Sequence, residues 1–166
     1  MYSKGANRIA PNQAMPMVVH HHFSTIAKRY RNLRTTDLEP INIVVRELKD
    51  LAHIEGIDVG CGDGRYDLLL CQYLGNRLRL TCVDANDCML EELDKYLIKH
   101  GLSNFESMHS EAEYLPFPSN ALDCVCTFNA IHHFNLPEFL SESYRILKNG
   151  GYLFTVSYTH LTLPTN

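Results

Sequence analysis

A chain of 166 residues, 45% of them apolar, can bury a sizeable core and is expected to form one domain rather than two. No run approaches the roughly 20 uninterrupted apolar residues that cross a bilayer, and Met1 to Pro16 lacks the apolar centre of a secretory signal, so the expectation is a soluble, cytoplasmic protein. The net charge of −4 conceals an imbalance, with +6 on residues 1–36 and −10 on the remainder, which suits a basic arm that docks on an acidic body or attracts an anionic partner, nucleic acid included.

In chain order, residues 1–36 read as the basic arm, and Pro11, Pro16 and small polar residues predict little order in its first half. His20-His21-His22 cannot all turn toward one ion in regular backbone, so no metal site is expected there. Asp37 and Pro40 mark a helix start, with Ile41, Val44, Val45, Leu48 and Leu51 at helical spacing up to about Ala52. A strand is predicted at about Ile54 to Val59, then a helix carrying Leu68, Leu69, Tyr73 and Leu74 that closes at Gly75-Asn76, then a strand at Leu78 to Val83. Asn86 or Asp87 can cap a helix whose Met89, Leu90, Leu93 and Leu97 face inward and which Gly101 ends. Strands follow at Phe105 to His109 and Ala121 to Phe128, then a helix from Asn135 and Pro137 through Lys148, closed by Gly150-Gly151, and a last strand at Tyr152 to Val156. Strands alternating with helices of this length imply a Rossmann-like, doubly wound, mostly parallel sheet in three α/β layers over residues 37–156.

The chemistry concentrates where the first strand turns into the next helix. Ile57-Asp58-Val59-Gly60-Cys61-Gly62-Asp63-Gly64 places three glycines at alternate positions, a turn that lets a ligand approach the main chain. Asp84 ends the second strand about twenty residues on, where a nucleoside-binding α/β unit holds its ribose-binding carboxylate. A dinucleotide fingerprint would place a third glycine at position 65, which is Arg65, so an adenosyl ligand without phosphates fits better than NAD.

From Phe23 to Val156 the chain resembles the class I S-adenosylmethionine-dependent methyltransferases. The glycine loop is similar to their first motif, Asp84-Ala85-Asn86 to their acidic strand end, and Glu111-Ala112-Glu113-Tyr114-Leu115-Pro116-Phe117 to the stretch beside the adenine, with Glu111 in place of the usual Asp. Leu122 to His133 resembles their fourth motif, and Arg145-Ile146-Leu147-Lys148-Asn149-Gly150-Gly151 the turn before their fifth strand. The resemblance implies S-adenosyl-L-methionine as cofactor, bound by Asp58, Gly60, Cys61, Gly62, Gly64, Asp84, Ala85, Glu111, Ala112 and Asn129. It also implies a lid at Phe23 to Tyr30, from which Tyr30 and Arg34 reach the methionine carboxylate.

Methyl transfer from a sulfonium mainly needs orientation and a dry pocket, so a base is required only when the acceptor must lose a proton. His132 and His133, just after Asn129, are the candidates for that role. The expected acceptor is a small molecule, as in the quinone C-methyltransferases of the group, with tRNA modification or an adenosyl-binding fragment without turnover as alternatives. Residues 157–166 show no strand or helix pattern and are read as a non-native tail. The C-terminal helix and antiparallel hairpin usual in this class are therefore expected to be lacking. The six cysteines form no C-x-x-C pair and are expected to be reduced and structural.

Overall fold

The computed structural model describes residues 37–157. The elements are α1 (Glu39–Glu47), β1 (Ile54–Val59), α2 (Arg65–Leu74), β2 (Leu78–Asp84), α3 (Asp87–Lys99), β3 (Phe105–His109), β4 (Leu122–Phe128), α4 (Leu136–Ile146) and β5 (Leu147–Val156), with 3-10 turns at Gly75–Arg77 and Ile131–His133. The strands form one sheet in the order β3-β2-β1-β4-β5, and every pairing is parallel. The basic arm, its lid pattern, the three adjacent histidines and residues 158–166 lie outside the described residues.

Alternation along the strands sorts the core into two layers. Ile54, Leu78, Leu80, Cys82, Cys124 and Cys126 face α1, α2 and α3, burying Ile41, Val44, Leu70, Leu74, Leu93 and Leu97 against them. Ile57, Val59, Val83 and Val125 face the other way, onto Ala112, Leu115 and α4 with Phe139 and Ile146. This is the three-layer, doubly wound α/β arrangement expected from the alternation of strands and helices. Asp58 shares the face of β1 with Ile54, so its carboxyl is sealed beneath α2 rather than exposed to solvent.

Several boundaries differ from the sequence pattern. Helix α1 stops at Glu47, and Asp37 lies just ahead of its N-cap, where its Oδ1 accepts the Glu39 N–H at 3.0 Å. On α2 the inward stripe is Tyr66, Leu70 and Leu74, while Tyr73 is 51% exposed. Asn86, not Asp87, caps α3, with Oδ1 accepting from the N–H groups of Cys88 and Met89. Strand β5 begins at Leu147, so Lys148 and Gly150-Gly151 lie within a strand, not a helix cap. Leu122 pairs with Leu147 and Cys124 with Tyr152, so five steps of β5 match two of β4. The glycines form this bulge: Gly150 has φ +81, and a Cβ on Gly151 would lie 3.0 Å from the Lys148 carbonyl oxygen.

Candidate functional site

The sheet order steps away from β1 in both directions, so the crevice where ligands bind in open parallel sheets lies beyond the carboxyl ends of β1, β2 and β4. Gly60, Asp84 and Asn129 follow or end those strands. The loop from Gly60 to Gly64 is held by the protein itself: Gly60 and Cys61 donate to the Val83 carbonyl at 2.8 and 3.1 Å, Gly64 donates to Cys61 O, and Gly62 donates to Asp84 Oδ2 at 2.9 Å. These four amides are therefore committed to the protein itself. Two of the glycines answer to packing. At Gly60, φ is +74 and a Cβ would lie 2.4 Å from Ala130 Cβ; at Gly64, φ is +83 and a Cβ would press on Leu93.

The Asp84 carboxylate joins the loop to the next helix, its Oδ1 accepting the Asn86 N–H at 2.9 Å while Oδ2 takes Gly62. The group is half-buried, at the end of β2. Ala85, next in sequence, and Glu111 are both half-buried, and Ser110 N–H donates to Asp84 O, drawing the start of the 110–117 segment to the end of β2. The Ala112 side chain turns into the core. Tyr114 is 75% exposed.

Helix α4 clamps this segment. Arg145 donates to the carbonyls of Leu115 and Phe117 at 2.9 and 2.7 Å, and Glu142 accepts the Leu115 N–H while pairing with Arg145 at 2.7 Å. Glu113 accepts the Asn135 N–H at 2.6 Å. The Arg145 guanidinium holds the Glu142 carboxyl below its ordinary range, so the clamp's ionic contribution is present above about pH 4.5 and fades as pH falls below it. An Arg145→Ala variant is expected to lose about 1–2 kcal/mol, with faster amide exchange at Leu115 and Phe117. Unchanged exchange at Leu115 would refute the clamp.

Asn129 adopts φ +60 and donates to the Val156 carbonyl at 2.6 Å, fixing a left-handed, non-glycine residue at the end of β4. The chain then forms the 3-10 turn Ile131–His133, where the His132 and His133 rings lie 4.0 Å apart at 46° and His132 is exposed. Among the described residues no group of His, Cys, Asp or Glu could hold a metal ion.

Beneath the loop lie acids that the sequence analysis did not single out. Asp63 and Asp67 are 2% and 0% exposed, and Asp63 Oδ1 is 3.8 Å from Arg65 Nε. Burial pushes the Asp58 carboxyl well above its ordinary range, helped by the negative charges of Asp67 and Asp84, and pushes Asp67 up to about 7. A signal was present: Asp67 occupies the inward stripe at helical spacing from Leu70, Cys71 and Leu74, where an acid is out of place. Burial also raises the thiols of Cys61 and Cys82, which leaves them un-ionised and inert. All six cysteines are free.

The methyltransferase domain family matches residues 57–155, which run from β1 through almost all of β5. The chain belongs to this family. It is 27% identical over 164 residues to a demethylmenaquinone methyltransferase of Staphylococcus epidermidis, covering 94% of this chain and 66% of that protein. It is 28% identical over 144 residues to a methyltransferase-like protein of Dictyostelium discoideum, covering 87% of this chain and 51% of that one. The chain thus spans between half and two thirds of the length of these relatives. The fold matches a SAM-dependent methyltransferase of Aquifex aeolicus with a TM-score of 0.70 at 23% identity, covering 84% of this chain and 77% of that one.

The cofactor of a methyltransferase domain of this kind is S-adenosyl-L-methionine, and the cradle fits it. Four of the loop amides are bonded within the protein and so are not offered to a pyrophosphate. The Asp84 carboxylate at the end of β2 suits a vicinal diol.

Proposed function

We propose that this chain binds S-adenosyl-L-methionine across the ends of β1, β2 and β4 and catalyses transfer of its methyl group to a small-molecule acceptor. The carrying observation is Asp84, a half-buried carboxylate at the end of β2 that is tied to both the glycine loop and the α3 cap, where a ribose diol would meet it. In this reading Asp84 and Ala85 hold the ribose, Glu111 and Ala112 border the adenine, and Asp58, Gly60, Cys61, Gly62, Gly64 and Asn129 frame the methionine end. When bound, the cofactor supplies an electrophilic methyl on a good leaving group. The protein's part is orientation and exclusion of water, which can lower a barrier by about 7–11 kcal/mol in favourable cases. His132 takes a proton from acceptors that must lose one, since its ring is exposed at the mouth of the crevice, with the His133 ring tilted against it.

Likeness to demethylmenaquinone methyltransferases supports a small, ring-bearing acceptor. No described helix is long and apolar enough to cross a membrane, and the free cysteines favour a reducing, cytoplasmic setting. A second reading, tRNA modification, rests on the +6 charge of residues 1–36, and it requires tRNA binding that weakens steeply with salt. The test is calorimetric titration with S-adenosylmethionine, S-adenosylhomocysteine and NAD. Micromolar binding of both adenosyl ligands and none of NAD is expected. Binding of NAD alone, or of nothing by a folded sample, would overturn the proposal.

A further inference from the structure

Asp67 has no role in the function proposed above. It projects from the first turn of α2 toward the sheet, where Asp58 projects from β1 on the same face. The two side chains are 0% and 1% exposed; Oδ1 of Asp58 lacks a hydrogen-bond partner, and the side-chain group that meets Asp67 is the weakly donating Cys82 thiol. Unpaired carboxylates are costly to bury as anions. The groups around them offer little relief. Strand β2 contributes Cys82 and Asp84, the glycine loop contributes Cys61 and Asp63, α2 contributes Cys71, and β4 contributes Cys124 and Cys126. Arg65 is the cation among these neighbours, and it lies beside Asp63.

Burial and the neighbouring negative charges favour the protonated forms of these two carboxyls, and a positive charge close by would disfavour them. Cys61 of the glycine loop is near enough for the charges of Asp67, Asp84 and Asp58 to raise its thiol. We propose that Asp67, acting with Asp58, is a charge-sensing specificity element: the sulfonium of the cofactor, bound above the loop, drives one proton from the pair to solvent. Methyl transfer converts the sulfonium to a neutral thioether, the pair takes a proton back from solvent, and the cradle's preference for the spent cofactor falls. The inference rests on the cofactor reading above. Burial raises both groups toward neutrality, with the Cys82 thiol partly offsetting the effect at Asp67, so the exchange falls in an accessible pH range.

The test is calorimetry at pH 6, 7 and 8 in phosphate and in Tris, whose ionisation heats differ. Wild type is expected to release roughly 0.3–1 proton per S-adenosylmethionine bound and fewer per S-adenosylhomocysteine, with affinity for the former rising by up to about tenfold per pH unit. Asp67→Asn should flatten that rise and abolish the release. Equal apparent heats in both buffers for wild type, or an unchanged slope in Asp67→Asn, would overturn the linkage while leaving the cofactor reading intact. Absence of binding by either adenosyl ligand would overturn both.

The ligand-free chain gives an independent readout. The folded state keeps a proton on Asp67 that the unfolded chain loses above its ordinary value of 3.8, so stability should decline as pH rises from about 4 to about 7. Asp67→Asn should remove that contribution, and the same pH dependence of the midpoint in Asp67→Asn as in wild type overturns the proposal.

Discussion

An Asp84→Ala variant is expected to bind S-adenosyl-L-methionine roughly 5- to 150-fold more weakly, a loss of about 1–3 kcal/mol, while remaining folded. Two effects add. The variant loses the acceptor proposed for the ribose hydroxyls, and it leaves the Gly62 and Asn86 amides without their carboxylate partner. An Asp84→Asn variant separates these contributions. Its amide keeps one acceptor oxygen, but its NH2 group would oppose one of the two backbone donors, so loop order should suffer while one diol contact survives. Affinity close to wild type in Asp84→Ala would refute the ribose assignment, because no other described carboxylate ends a strand at this crevice with both oxygens tied to the loop and the helix cap.

The largest loss of stability should come from Gly60→Ala. A left-handed φ of +74 costs an alanine about 1–2 kcal/mol, and a Cβ 2.4 Å from Ala130 Cβ, with Phe134 Cζ at 3.1 Å, forces the 130–134 segment away from the loop at a further 1–3 kcal/mol or so. The expected total of about 2–5 kcal/mol is a large part of the stability of a domain this size. Gly101→Ala is the control. Its φ is +77, but no atom lies within 4 Å of the added Cβ, so only the backbone cost of about 1–2 kcal/mol remains. Urea midpoints for the two variants at unchanged m-value would show the difference, and equal midpoints would mean that the Ala130 contact yields without cost.

The order and type of the elements were legible because each strand ends in a distinctive signal: glycines after Val59, an acid at Asp84, Asn129 after Phe128. The ends of the last helix were not. Gly150-Gly151 reads as a helix stop in one dimension, but in the sheet it forms a bulge that lets β5 regain register with β4 after Leu147 has paired with Leu122. Local propensity cannot reveal that, since the reason is a partner strand some 25 residues away in sequence. At the site, Asp84 and the glycine loop were readable by spacing. The clamp from Arg145 and Glu142 onto Leu115 and Phe117 was not, because it joins segments almost thirty residues apart through backbone carbonyls that carry no sequence signature. Asp67 was overlooked because an acid in a first helical turn looks like ordinary favourable dipole chemistry; only the sheet above it makes the group buried.

The internal bonding of the glycine loop has a thermodynamic corollary. With the amides of Gly60, Cys61, Gly62 and Gly64 bonded to Val83, Asp84 and Cys61, the loop's conformational entropy is surrendered when the chain folds, not when a ligand arrives. Ligand encounter at this wall is then a docking event onto a finished socket, free of the population penalty that a loop in exchange would impose. Discrimination between ligands at this wall must accordingly come from charge and from acceptor geometry at Asp84, since the loop has no alternative shape to offer a wrong one.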